Sequence, residues 1–296
     1  QAIALKPDFA VAYCNRGNAL LDIKQPDAAL QSYDQAIALK PDYAEAYNNR
    51  GNALQDLKQP DAASQSFGQA IALKPDNADA YANLGNTLQD LKQLEAALQN
   101  YDKSIALKPD QEFLHGIWLH TKMKICEWAN AEEQFSRIAE KVERADGASP
   151  PFPVLAMAES LPLQRKSAEI WVQVKHPISL LLSEIPKQHR RDKIRIGYFS
   201  SDFHDHATSY LMAELFEKHD RSKFELIAFS FGPDKNDEMR KRLLTAFDQF
   251  IDVRTQSDMN VALLAREFGI DIAVDLKGFT QDSRPSIFAI RAAPIQ

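Results

Sequence analysis

The triplet Lys-Pro-Asp returns at Lys6, Lys40, Lys74 and Lys108, and a glycine returns with the same 34-residue spacing at Gly17, Gly51 and Gly85. A fixed period of this size marks a stacked array in which each unit buries its apolar face only against its neighbours. Within one period two helical stretches are predicted, Tyr43 to Lys58 and Ala62 to Leu73, separated by the Gln59-Pro60-Asp61 turn. Lys40 suits the negative end of the outgoing helix, Pro41 stops it, and Asp42 with Glu45 is expected to form an N-capping pair for the next. Gly51 permits close approach of the two helices, Ala63 and Ala70 do the same from the second, and Tyr47, Leu54 and Phe67 fill the space between them.

The order tyrosine, glycine, alanine, aromatic, alanine, proline resembles the tetratricopeptide (TPR) family over residues 1 to about 110. A fourth unit, Glu112 to about Arg144, keeps Ala131 and Phe135 in register but has Leu119 at the glycine position and inserts Cys126-Glu127-Trp128, as a terminal repeat adapted to a neighbour would. Gln1 to Pro7 matches Gln35 to Pro41, so the chain is expected to begin inside a repeat. TPR arrays bind peptides in a groove lined by the first helix of each repeat. There Asn15, Asn49 and Asn83 recur, each with a second asparagine three residues on at Asn18, Asn52 and Asn86. An amide both donates and accepts, so such a column is suited to hold an extended peptide backbone without demanding a sequence. Duplication of near-identical repeats would copy the same residues, and both readings stand at this point.

The formal charge of −6, with no strongly basic segment, excludes a phosphate-backbone grip, so no nucleic-acid partner is expected. Cys14 and Cys126 lie far apart and outside any Cys-x-x-Cys spacing, which argues against a disulfide framework or thiolate zinc site and fits a reducing cytoplasm. No apolar run approaches the length of a membrane span, and no membrane partner is expected. Asp146 to Pro153 holds a glycine, a serine and three prolines, so no regular element is expected to cross it. Helical patterning resumes from Val154 to about Glu184, with Ile170, Trp171 and Val174 packing on a neighbour; the basic run His189 to Lys193 reads as a solvated linker. The expected division is an α-solenoid over residues 1–145, a helical connector over 146–193 and a further domain over 194–296.

From Ile194 the period changes. Apolar runs at Ile194–Ser200, Phe224–Phe231, Phe250–Val253 and Ile270–Leu276 alternate with helical stretches at about Thr208–His219, Glu238–Phe247 and Asn260–Phe268. This alternation predicts an α/β Rossmann-like parallel sheet, whose ligands bind beyond the carboxyl ends of its strands. Three loops qualify by position: Ser200 to His206, Gly232 to Asn236 and Lys277 to Arg284. The first packs hydroxyl and ionisable groups between a strand end and a helix start. No Gly-x-Gly-x-x-Gly follows the first strand, which counts against a dinucleotide cofactor. Asp202, His204, Asp205 and His206 alternate in a way that suits a divalent cation, but one loop seldom supplies a whole site, and no metal is assigned.

Ile194-Arg195-Ile196-Gly197-Tyr198-Phe199-Ser200-Ser201-Asp202-Phe203, then His206-Ala207-Thr208-Ser209-Tyr210-Leu211-Met212, are similar to the opening of the catalytic region of the TPR-containing O-linked N-acetylglucosamine transferases, whose relatives include SPINDLY-like enzymes. Gly269 to Thr280, Arg291 to Gln296 and the Cys126-Glu127-Trp128 insertion agree in the same order. The resemblance implies the first lobe of a GT-B-type glycosyltransferase that moves a sugar from a UDP-sugar co-substrate to serine or threonine hydroxyls of proteins held by the TPR groove. It implies no cofactor and metal-independent transfer. The second lobe, which builds most of the donor pocket, is not recognised here, so the chain alone is expected to be inactive. His206 matches the histidine that the family places at its active centre, as proton acceptor or as a group positioning donor phosphate or nucleophile. Asp275 and Lys277, at the end of the fourth strand, with Thr280 in the following loop, are expected to border the same cleft as substrate-binding candidates; for Asp275 a buried structural aspartate is the equal alternative, and both readings stand. Asp271 stands where animal members carry a histidine, so no role is carried over to it. The competing readings are a TPR adaptor whose appended domain does no chemistry, and a nucleotide-binding regulatory domain.

Overall fold

The computed structural model describes residues 8–23, 25–178, 185 and 191–296. The Gln1–Pro7 repeat end, and His189 and Arg190 of the basic run, lie outside the described residues. The chain forms two compact units, residues 1–171 and 172–296.

In the first unit three helix pairs follow one another: α1 (Ala10–Asp22) with α2 (Pro26–Leu39), α3 (Ala44–Asp56) with α4 (Pro60–Leu73), and α5 (Ala78–Asp90) with α6 (Leu94–Leu107). The recurring glycine is explained by what faces it. A Cβ on Gly17, Gly51 or Gly85 would stand 2.5, 2.5 or 2.4 Å from the ring of Tyr33, Phe67 or Tyr101, each fully buried on the second helix of its pair. Ala29, Ala63 and Ala97 are likewise buried at the helix crossings. The capping pair expected from Asp42 and Glu45 does not form. Each helix starts one residue later, with Tyr43 at the cap position and no side-chain bond; only Asn77, at the equivalent place, accepts from the Ala80 amide at 3.1 Å. Pro26 and Pro60 open α2 and α4 at a position whose N–H has no intrahelical partner to lose. Lys40 reaches over the Tyr43 ring, 5.1 Å from its centroid.

The fourth pair, α7 (Leu114–Lys124) and α8 (Ala131–Glu143), buries Leu119 where the others have glycine. Its close approach is shifted to Gly116, where a Cβ would meet the Ser149 hydroxyl at 1.9 Å, and the Gly116 and Phe113 amides bond to the Ala148 and Gly147 carbonyls. Residues 146–150 therefore dress the end of the array. Contrary to the expectation for 146–153, a helix α9 (Pro151–Met157) begins inside it, again with proline in its first turn. The helix expected from Val154 to Glu184 is broken at Ala158–Ser160, its longer described part is α10 (Leu161–Lys175), and residues 179–184 lie outside the described residues. Ile170 is buried with Val154 and Leu163, and Trp171 meets Phe113 edge-on at 4.7 Å. Val174, one turn on from buried Ile170 and on the same face, is exposed rather than packed.

The second unit is built from β1 (Ile194–Ser200), α11 (Ala207–Lys218), β2 (Phe224–Ser230), α12 (Glu238–Ala246), β3 (Gln249–Asp252), α13 (Asp258–Glu267), β4 (Ile272–Asp275) and the short α14 (Ser286–Ala289). The four strands are parallel in the order β3-β2-β1-β4. Apolar clusters cover both faces, as a parallel sheet requires: Phe199, Ile227 and Phe229 with α13 and α14 on one side, Tyr198, Leu226 and Ala228 with α11 and α12 on the other. Phe199 and Phe229 stack at 4.4 Å. Asp271 sits just before β4 and accepts from the Arg195 amide at 2.8 Å, a structural bond at the amino end of the sheet. Arg191 donates to the Gly269 carbonyl at 2.7 Å, so this end of the basic run is tied to the domain and not merely solvated.

Candidate functional site

The strand order places a reversal at β1, since successive strands run to one side through β2 and β3 and the chain then returns to the other side as β4. At such a switch the loops leaving the two central strands part in opposite directions and leave a crevice beyond their carboxyl ends. The loops that open there are Ser201–His206 after β1 and Leu276–Arg284 after β4. Phe199 pairs with Asp275, so both loops leave the sheet at the same level.

Asp202, His206 and Lys277 meet in this crevice. Lys277 Nζ lies 2.8 Å from Asp202 Oδ2, and both side chains are more than nine-tenths buried. Ser201 Oγ donates to Asp202 Oδ1 at 3.0 Å, Ser200 Oγ accepts from the Asp202 amide at 2.9 Å, and the buried Ser209 hydroxyl donates to the Asp202 carbonyl. Burial pushes the Asp202 carboxyl up, but the bond and charge of Lys277, the Ser201 hydroxyl and nearby His206 outweigh it and hold the group below the usual carboxylate range. His206 caps α11: its Nδ1 accepts from the Thr208 amide at 3.2 Å and stands 3.5 Å from Asp202 Oδ2, with the ring 42% exposed. The ring is thus anchored by one edge and partly open to solvent by the other. Asp275 accepts from the Lys277 amide at 2.8 Å. Its burial raises the carboxyl pKa, a shift opposed by the Lys277 and Gly278 amides and the Lys277 charge. Thr280 is exposed and donates to the Lys277 carbonyl at 2.8 Å, closing a turn around Gly278, whose φ of +55° suits glycine.

Residue patterning missed the groups that hold these loops in place. Arg240 is buried, donates to the Phe203 carbonyl at 3.2 Å, pairs with Asp234 at 2.9 Å and lies over Phe250. It therefore ties the loop after β1 to the loop after β2. Asp237 accepts from the Asp205 amide at 3.0 Å and from Arg240's own amide, adding a second tie. Gly232 packs so tightly that a Cβ would stand 1.7 Å from the Ser201 carbonyl. Arg284 reaches Asp258 at 2.6 Å and the Gln256 carbonyl at 2.7 Å, fixing the far end of the β4 loop. A charged residue at apolar spacing on a helix, as Arg240 is beside Leu243 and Phe247, was the available signal. Among the described residues no group of three or more His, Cys, Asp or Glu side chains is arranged to hold a metal ion.

The asparagines of the array do not stand free. Asn49 donates to Asn18 at 3.0 Å, Asn83 donates to Asn48 at 3.2 Å, and Asn18 also accepts from the buried Tyr33 hydroxyl at 2.7 Å. Asn15 is exposed. The amides thus stitch each repeat to the next, with part of their hydrogen-bonding capacity left toward solvent.

Residues 170–296 match the family model of Glycosyl transferase family 41, and residues 18–58, 44–77 and 78–111 match tetratricopeptide repeat models. Residues 170–296 are therefore similar to the glycosyltransferases of family 41, and the array before them is similar to tetratricopeptide repeats. It is 29% identical over 196 residues to a probable UDP-N-acetylglucosamine–peptide N-acetylglucosaminyltransferase of Arabidopsis thaliana, an alignment covering 60% of this chain and 20% of that protein. A UDP-N-acetylglucosamine–peptide N-acetylglucosaminyltransferase of Caenorhabditis elegans is 29% identical over 187 residues, 58% of this chain and 16% of its own length. The chain therefore spans about a fifth of the curated relatives it matches. A solved mutant O-GlcNAc transferase of Thermobaculum terrenum shares the fold, with a TM-score of 0.53 at 22% identity over 97% of this chain and 49% of that one. The crevice residues Asp202, His206, Asp275 and Lys277 all fall within the segment that matches the family 41 model. No helix among the described residues is long and apolar enough to cross a membrane.

Proposed function

We propose that this chain serves a protein O-glycosyltransferase, which transfers N-acetylglucosamine or a related sugar from a UDP-sugar to serine or threonine hydroxyls of proteins lying along the TPR groove. The observation that carries the reading is the meeting of His206 with Asp202 and Lys277 at the switch of a parallel sheet, inside the segment that matches glycosyl transferase family 41. In the reaction the hydroxyl oxygen bonds to the anomeric carbon as the bond to the diphosphate breaks. The diphosphate leaves with the electron pair, and the hydroxyl proton passes to a base. His206 borders the reacting groups; Thr280 and the solvent side of the β4 loop border the donor. The array, with Asn15, Asn49 and Asn83 on its first helices, holds the protein acceptor through the amide capacity that repeat-to-repeat bonding leaves over.

Transfer of radiolabelled N-acetylglucosamine from the UDP-sugar to acceptor proteins by the full-length protein tests this reading. Transfer is expected in the wild type, falling by about a hundredfold or more in His206→Ala if the ring takes part in the chemical step. An adaptor would instead keep peptide binding, show no transfer and be indifferent to the substitution.

A further inference from the structure

One ring nitrogen of His206 is contested by two neighbours. Nδ1 accepts from the Thr208 amide at 3.2 Å, whereas Asp202 Oδ2 is 3.5 Å away, too far for a hydrogen bond. That carboxylate oxygen is already engaged by Lys277 Nζ at 2.8 Å and faces the Thr208 hydroxyl at 3.4 Å, while the other oxygen accepts from Ser201. A neutral imidazole carries a single N–H. Placing it on Nδ1 would point it at the Thr208 N–H, donor against donor, and would strip α11 of its side-chain cap. Placing it on Nε2 satisfies the cap and leaves Asp202 to Lys277.

The remaining groups near the ring do not reverse this. The His204 ring lies edge-on with centroids 5.8 Å apart, and its Nδ1 faces the Asp205 carbonyl at 3.2 Å. Asp237, which caps α12, is occupied by the Asp205 and Arg240 amides. Among the described residues, no bond from a further carboxylate of α11 or α12 to the His206 ring is present.

We propose that His206 is held as the Nε2–H tautomer, so that it presents a hydrogen-bond donor and not a proton acceptor to the crevice, and that Asp202 and Lys277 are positioning residues which keep a carboxylate away from Nδ1. The ligand such a donor fits is an anionic oxygen. Resting on the transferase reading, that oxygen is one of the nucleoside diphosphate's, and the proton acceptor for the attacking hydroxyl is a group other than this ring.

Two-bond proton–nitrogen spectra of the histidine-labelled chain, recorded above pH 8 and assigned through loss of the His206 signal in His206→Gln, read the tautomer without any need for activity. The expected pattern has Nδ1 unprotonated and Nε2 protonated; the reverse pattern overturns the proposal. Lys277→Met frees Asp202 to accept, and in a folded variant it is expected to shift the ring toward Nδ1–H; an unchanged tautomer there removes Asp202 and Lys277 from the role. In the full-length protein, glutamine offers an N–H near the Nε2 position but no base, so His206→Gln is expected to retain kcat/KM within about tenfold of wild type where His206→Ala loses about 10²–10³-fold. Glutamine as damaging as alanine would refute the donor role. A wild type with no transfer at all would instead sink the transferase reading and leave the tautomer measurement standing.

Discussion

The two units handle buried polarity in opposite ways. In the array it is spread out, one or two hydroxyls to a repeat: Ser32, Ser66, Thr87, Ser104 and Thr121 are each buried and each bonded within the repeat or to the adjoining one. In the α/β unit it is concentrated at one end of the sheet, where Ser200, Ser201, Asp202, His204, Ser209, Ser230 and Arg240 are all buried at the last residue of a strand, in the loop after it or in the first turn of the helix that follows. Even distribution serves stacking, because every interface must be satisfied in the same way. Concentration raises the local cost of any single error and is characteristic of a site whose groups must be held in place.

The glycines sharpen this contrast most. Gly232→Ala drives a Cβ into backbone at 1.7 Å, where nothing flexible can yield, and is expected to destabilise the α/β unit by about 3 kcal/mol or more. Gly51→Ala meets the buried Phe67 ring at 2.5 Å; overpacking there, partly offset by alanine's better helix propensity, is expected to remove about 1–2 kcal/mol from the array. Gly68→Ala has open space within 4 Å in the same repeat and should stabilise by about 0.5–1 kcal/mol. All three tryptophans, Trp118, Trp128 and Trp171, lie in the first unit, so their fluorescence follows the array while hydrogen exchange on β1 follows the sheet. A Gly51 variant as stable as Gly68→Ala would remove close packing as the reason for the 34-residue glycine.

Ion pairs are expected to separate the units next. Lys277→Met leaves the buried Asp202 carboxylate without its cation and is expected to cost about 3–5 kcal/mol in the sheet unit. Arg50→Met breaks a pair with Asp34 whose side chains are 30% and 50% exposed, and should change array stability by no more than about 1 kcal/mol. Equal effects in denaturant titrations would mean that Lys277 and Asp202 are solvated in solution.

The array was legible because its rules are local and repeated: glycine, alanine and aromatic positions recur, and one misjudged cap at Asp42 alters no packing. Strand positions were legible to within about two residues for the same reason, since apolar runs such as Phe224–Ser230 must be buried on both faces. His206 emerged from a motif resemblance, and Lys277 from its place after an apolar strand. Asp202 lay in the same loop motif, but its contact with Lys277 was not legible, because it joins residues 75 positions apart and no local pattern encodes it. Arg240 and Gly232 were hidden likewise, their roles being set by the backbone of a different loop.

The two aspartates of the crevice should respond to acid with opposite signs. Asp202 is held below the usual range, so its contribution to stability is complete above the ordinary carboxylate pKa and lost as pH falls through its depressed value. Asp275 is raised by burial, so its ionised form is a penalty at neutral pH that disappears as pH drops below the ordinary value. Asp202→Asn is therefore expected to destabilise at pH 7 and to approach wild type in acid. Asp275→Asn, which keeps an acceptor for the Lys277 amide, should stabilise slightly at pH 7 and lose that advantage in acid. Parallel pH curves for the two variants would show that the crevice is more open to water than its burial implies.

The smallest expected effect decides what the asparagine column is for. Asn49→Ala removes the bond to Asn18 between neighbouring repeats and should destabilise the array by about 0.5–1.5 kcal/mol, whereas exposed Asn15→Ala should fall within about 0.5 kcal/mol of wild type. If the column holds peptides, both substitutions weaken binding of an unstructured acceptor protein by similar factors despite their unequal effects on stability. If the column only stitches repeats, binding follows stability and Asn15→Ala is silent in both. Calorimetric titration of the two variants with one acceptor separates these outcomes, because a peptide touching a surface amide senses its loss whether or not the next repeat does.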